Sequence, residues 1–185
     1  GVIKNQIIQL GNLVPQISDM FKNAGKEFSN LPRKFKSALS ACPLHCHQPQ
    51  IQDVSAFGVI KSDGRKGLGV LVGGGLSSTP HFAQGLRVFV PEEKVQQQIP
   101  QIFAAVAGIF RDADELRYKR GRARLKFLVA DKGWQWVRDE VEKRLGYQLE
   151  HDDSIVNPRG ALHTDHTGTG EQKDGLYFVG VAVER

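Results

Sequence analysis

Apolar positions along this chain follow two periods, and the periods divide it into helices and strands. Leu13, Ile17, Met20, Phe21 and Ala24 recur at helical spacing, so their side chains share one face of a 3.6-residue helix. That spacing predicts a helix over 13–24, with Pro15 in the first turn, where its missing N–H is no loss, and a stop near Gly25. Ile3, Ile7, Ile8 and Leu10 hint at a shorter helix before it. Residues 33–40, 54–60, 67–72 and 85–90 read as strands, with turn residues such as Ser62-Asp63-Gly64-Arg65 between them.

Pro91-Glu92-Glu93 has the character of a helix start, with proline first and acids in the first turn. Val95, Ile99, Ile102, Phe103, Val106, Ile109 and Phe110 continue in helical register, but Pro100 should break it. Two consecutive helices are therefore expected, the second over 101–111. Trp134, Val137, Val141 and Leu145 mark one face of a further helix that ends at Gly146. Residues 151–173, rich in Asp, His, Thr and Gly, read as a loop, and 176–183 as a last strand. The fold class expected is α/β (α+β), a mixed central sheet covered by helices. Its parts are a helical segment over 1–30, a central unit over 31–150, and a loop and strand over 151–185 leading to a following subdomain.

Composition allows one core of real size: 185 residues, 40% of them hydrophobic. The formal net charge of +5 favours an anionic ligand or partner without demanding nucleic acid. No apolar run approaches the ~18 residues of a membrane span, and no signal-peptide pattern opens the chain, so a cytoplasmic protein is expected. Gly1 in place of a methionine, and Arg185 straight after an apolar run, suggest a piece of a longer chain. In that compartment the two cysteines, Cys42 and Cys46, argue for thiols or metal ligands over a disulfide.

Three stretches carry candidate chemistry. In LPRKFK (31–36), Arg33, Lys34 and Lys36 cluster, and a strand there would put Lys34 and Lys36 on one face with Phe35 on the other. Gly73, Gly74 and Gly75 follow a strand directly, so the backbone must bend sharply or let something approach closely. The lysine of a nucleotide-binding glycine loop is absent. Arg117, Lys119, Arg120, Arg122, Arg124 and Lys126 fall within ten residues without an acid. They form a solvated face or lie against an anion. Only Tyr118 and Phe127 stand by to stack bases, which argues against nucleic acid. Cys42 and Cys46 with His45 or His47 would make a cramped zinc site, and His163-x2-His166 with Asp165 lacks further ligands at a recognisable spacing.

LPRKFK with its following Cys-x3-Cys turn, VLVGGGLSSTPHFA and RARLKFLVADKG together resemble the sirohaem-dependent nitrite and sulfite reductases, over about 28–146. The resemblance implies a haemoprotein domain-like fold and a parent several hundred residues long with two related halves. It implies that the parent uses sirohaem and a 4Fe–4S cluster to reduce nitrite or sulfite, with electrons from a donor such as ferredoxin or a flavoprotein. Lys34 and Lys36 then match the distal-pocket lysines. Arg33, Lys34, Lys36, Gly73, Gly74, Gly75, Arg124 and Lys126 match the cofactor-binding residues. The cluster's four cysteines, a Cys-x5-Cys and a Cys-x3-Cys pair, belong to the other half, so Cys42 and Cys46 would be counterparts only. The chain alone is then expected to carry no cofactor and to be inactive. The alternatives are a non-catalytic anion- or tetrapyrrole-binding module and a relative of a cobalamin-pathway oxygenase.

Overall fold

Strand alternation sorts the apolar side chains onto two faces of one sheet. The structure, a computed structural model, describes residues 4, 6–42, 45, 47–156 and 167–183. Strands β1 (Ser37–Ser40), β2 (Val54–Ile60), β3 (Lys66–Val72), β4 (Gln84–Pro91) and β5 (Glu150–His151) lie side by side in chain order. β1 runs parallel to β2, and the other pairs are antiparallel. Val54 sits opposite Val72, Ala56 opposite Val70 and Leu68 opposite Val90. With Leu86 and Val88 these form the inner face of the main core. Burying each such side chain contributes about 1.5–3 kcal/mol, which makes this face the principal source of stability.

Among the described residues five α-helices pack with it: α1 (Leu13–Asn23), α2 (Lys26–Ser29), α3 (Val95–Arg111), α4 (Leu125–Lys132) and α5 (Trp134–Leu145). Ile99, Ile102, Phe103, Val106 and Phe110 of α3 and Val137 and Val141 of α5 are buried in the same cluster as the sheet's inner face. The outer face carries Phe57, Leu71 and Phe89, covered by Ala83 and Ile155 from connecting segments. No described helix is long and apolar enough to cross a membrane.

The structure departs from the sequence expectations at identifiable places. Residues 6–10 are not helical; the Ile7 N–H donates to the Ala41 carbonyl at 2.8 Å. The first strand begins at Ser37, so Lys34 and Lys36 precede it. The ladder stops there because the Lys36 N–H goes to the Asp53 carboxylate at 2.9 Å, while the Gln52 carbonyl accepts the Gly74 N–H at 2.8 Å. α3 is one helix with Pro100 inside it. Proline leaves the Gln96 carbonyl without its helical donor, and the Gln16 side chain of α1 donates to it at 3.2 Å. α4 gave no periodic signal because residues 125–129 are all buried, and a helix buried all round has no apolar stripe. The last strand, β7 (Tyr177–Gly180), pairs with β6 (Gly168–Glu171), a strand inside the stretch expected to be loop. His163, Asp165 and His166 lie outside the described residues.

The glycine run serves close packing of the protein on itself. Gly73 has φ +79°, and a Cβ there would meet Val129 of α4 at 2.7 Å. At Gly74 a Cβ would meet the Gln50 and Gln52 carbonyl oxygens at 2.5 and 2.6 Å. Gly74→Ala should therefore destabilise the fold by about 1–3 kcal/mol in urea unfolding. Gly121→Ala, with nothing within 4 Å of the added Cβ, should leave the midpoint nearly unchanged.

A second expectation concerns β5. The Lys61 ammonium bonds Asp152 at 2.8 Å and Glu150 at 3.0 Å, tying the β2–β3 hairpin to β5. The Lys61 ammonium, helped by Ser154, holds the Asp152 carboxyl down to about 2. A depressed folded pKa contributes stability above the unfolded value of about 3.9, and that contribution is lost as pH falls toward the folded one. Stability should decline on acidification from about pH 4 toward 2, and Lys61→Met should flatten that part of the profile.

Candidate anion-binding site

Phe35 organises the basic segment. Its ring lies 6.0 Å from both Phe21 and Phe110, stacked on the latter, and packs against the main core. With Phe35 turned inward, Lys34 and Lys36 on either side are exposed. Neither ammonium has a hydrogen-bond or ion-pair partner among the described residues. The alternation expected of a strand is thus reached by an irregular segment pinned at its central aromatic.

Beside this segment sits Asp53, just before β2 and wholly inaccessible to solvent. Its carboxylate accepts the Lys36 N–H at 2.9 Å and two bonds from Arg124, from Nη2 at 2.7 Å and from Nε at 3.3 Å. Burial pushes the Asp53 carboxyl above the usual range, against the opposing pull of Arg124 and Lys36. Arg124 has extended backbone, φ −121° and ψ 146°, immediately before α4. The helix start thereby aims its guanidinium back at the sheet.

Lys126, two residues on, is turned into the protein and is 1% exposed. Its ammonium donates to Ser77 Oγ at 2.9 Å, to the Gly75 carbonyl at 3.4 Å and to the Thr79 carbonyl. Burial lowers its pKa, and the Arg124 charge acts in the same direction. An ammonium has three donors, and all three hold the 75–79 loop. At Gly75 an added Cβ would lie 3.3 Å from Lys126 Cδ and 3.6 Å from Arg124 Nη2. The space expected beside Gly73, Gly74 and Gly75 is therefore filled by α4, by the 50–52 backbone and by these two basic side chains.

The other cations divide into tethered and untethered. Arg33 Nη1 donates to the Arg120 carbonyl at 3.0 Å, tying the basic segment to the 117–122 turn. Arg117 pairs with Asp114 at 3.3 Å and Arg122 with Asp131 at 3.1 Å, so acids that flank the run in sequence neutralise part of it. Lys119 and Arg120 have no acidic partner among the described residues. Cys42 is half-buried, and Cys46 lies outside the described residues. His45 is buried with its ring edge-on to Phe57 at 5.7 Å, and burial lowers its pKa. Among the described residues no three His, Cys, Asp or Glu side chains gather to hold a metal ion.

Asp53 is the residue that motif reading passes over. One signal could have found it: it is the only acid between Glu27 and Asp63, in a stretch with Arg33, Lys34 and Lys36.

Known proteins resemble this chain in sequence and in fold. Residues 1–149 match the family model described as nitrite and sulphite reductase 4Fe-4S domain. A protein of Mycolicibacterium paratuberculosis named sulfite reductase (ferredoxin) 1 is 38% identical over 171 residues, covering 91% of this chain and 29% of that protein. The assimilatory ferredoxin-dependent nitrite reductase of Haloferax mediterranei is 35% identical over 182 residues, covering 89% and 30%. The solved structure of the Mycobacterium tuberculosis NirA protein superposes with a TM-score of 0.80 at 33% identity, covering 97% of this chain and 31% of that one. The chain thus spans less than a third of each of these relatives.

The Lys126 contacts lead to a local expectation. Lys126→Met keeps the apolar stem and removes the three donors, so the paired Gly75 and His81 amides should exchange with solvent about tenfold faster or more. Exchange in α5 should be unchanged.

Proposed function

The chain belongs to the nitrite and sulphite reductase 4Fe-4S domain family, and on that premise we propose that it forms the part of a nitrite or sulfite reductase whose exposed cations face sirohaem and the oxyanion. The observation that carries this reading is the pair Lys34 and Lys36. Both are exposed on either side of the anchored Phe35, next to the Asp53–Arg124 pair, and neither ammonium has a hydrogen-bond or ion-pair partner among the described residues. An untethered lysine is a compact charge with movable donors, suited to holding a small anion.

The residues present fit a polycarboxylate tetrapyrrole. Lys34, Lys36, Lys119 and Arg120 offer charges for its carboxylates and for a small oxyanion. Leu76 and Phe82, both largely exposed on the segment following the glycine run, offer apolar contact to a macrocycle. Arg33 and Lys126 support this surface from behind, one through the Arg120 carbonyl and the other through the 75–79 loop. When bound, sirohaem supplies the iron at which the oxyanion is reduced. The lysines bind and orient the anion, favour its charge, and hold protons at Nζ within its reach.

The donor set does not fit a 4Fe–4S cluster. Two cysteines in the whole sequence cannot supply its four thiolates, so this chain alone does not hold one. Reduction of nitrite or sulfite is accordingly proposed for a larger assembly that includes this chain. Ferredoxin is its proposed electron donor, since two of the relatives carry that donor in their names.

The test is a spectroscopic titration of the purified chain with sirohaem, beside a variant carrying Lys34→Glu and Lys36→Glu. Wild type should bind, and the variant should bind about tenfold more weakly or worse with an unchanged circular dichroism spectrum. Equal affinity in the two proteins would overturn the reading.

A further inference from the structure

Three parts of the site meet at Asp53. Its carboxylate takes the Lys36 N–H at 2.9 Å, fixing the backbone of the lysine-bearing segment. The same carboxylate takes the guanidinium of Arg124, 71 residues away in sequence, through two bonds. Its main-chain carbonyl takes the Gly73 N–H at 2.8 Å, and the preceding carbonyl takes that of Gly74. Asp53 is thus bonded to the basic segment, the start of α4 and the glycine run together.

A carboxylate with no solvent exposure is costly to bury unless it is paired and fully bonded. Replacing both partners by apolar side chains would spare that cost, so the pair as a whole is weak evidence for stability. Two of the N–H donors of Arg124 are taken by Asp53, and the remaining ones have no acceptor among the described residues. The pairing therefore holds the guanidinium still while leaving it able to bind a second anion.

We propose that Asp53 is a positioning residue, which holds the Lys36 backbone and the Arg124 guanidinium in the arrangement that binds an oxyanion, whether a small substrate anion or a carboxylate of the cofactor. This rests on the reading that the basic segment faces an anion, and it adds a residue that the motifs do not contain.

The sign of the effect separates positioning from simple charge. Asp53→Asn removes a negative charge beside the site, so electrostatics alone would tighten anion binding; loss of positioning weakens it. Asp53→Glu keeps the charge and moves it, so electrostatics alone predicts wild-type binding, and positioning again predicts weakening. The experiment titrates the full 185-residue chain and both variants with sulfite alone and with uroporphyrin, an iron-free tetrapyrrole polycarboxylate. Circular dichroism checks folding, and NMR follows the Lys36 amide and the Arg124 Nε–H. We expect Kd to rise about fivefold or more in either variant, with both NMR signals displaced. We also expect Asp53→Asn to weaken binding less in an Arg124→Gln background than in wild type, since part of its action runs through Arg124. Weakening for sulfite identifies the small anion as the ligand so positioned, and weakening for uroporphyrin alone identifies the cofactor carboxylate. If one variant does not fold, the other carries the test. Binding by the folded variants as tight as wild type or tighter, while Lys34→Glu/Lys36→Glu weakens it, overturns the role of Asp53 and leaves the proposed function standing. Wild type binding neither probe overturns both.

Discussion

A single buried ion pair, Asp53 with Arg124, links the parts of this molecule that bear on function. A pair of this kind is weak evidence for stability, because desolvating two charges offsets most of their attraction. Its consequence is geometric. The bidentate contact ties the end of the connection into β2 to the start of α4, and the same carboxylate ends the β1–β2 ladder by taking the Lys36 N–H. Lys34 and Lys36 are thereby kept out of the strand and in an exposed segment, held from the core side by Phe35.

Around that pair the basic residues take two kinds of position. Arg124 and Lys126 face inward, one onto a carboxylate and the other onto carbonyl and hydroxyl oxygens. Those acceptors hold both side chains in place. Lys34, Lys36, Lys119 and Arg120 face outward without acidic partners among the described residues, and the positive potential of the surface comes from them. A run of like charges in sequence is thus separated in space into inward-facing and outward-facing groups, which lowers the repulsion that proximity along the chain would impose.

The same division explains how a family domain covering less than a third of its relatives can present a formed basic surface. The sheet, α3 and α5 supply one continuous core, and the elements that carry the cations are bonded to it within the chain. A cluster with four thiolates is another matter, because its ligands are absent from the sequence.

Where an element shows one face to a core and the other to water, the sequence by itself determined it. α1 and α5 were legible within a residue or two, since burial on one side imposes a period of 3.6 on the apolar positions, and β2, β3 and β4, buried on both faces, were legible as short apolar runs bounded by turn residues. LPRKFK and the RARLK run were legible as basic chemistry for the same local reason: the residues are adjacent. Only the tertiary structure decided the rest. α4 is buried throughout residues 125–129 and leaves no period to read there. Pro100 stays within a single helix because a glutamine from α1 satisfies the carbonyl it orphans. The glycine run is shaped by Val129 and the 50–52 backbone. Asp53 meets Arg124 across 71 residues. Each of these depends on a partner distant in sequence, and no local pattern records which distant side chain will arrive.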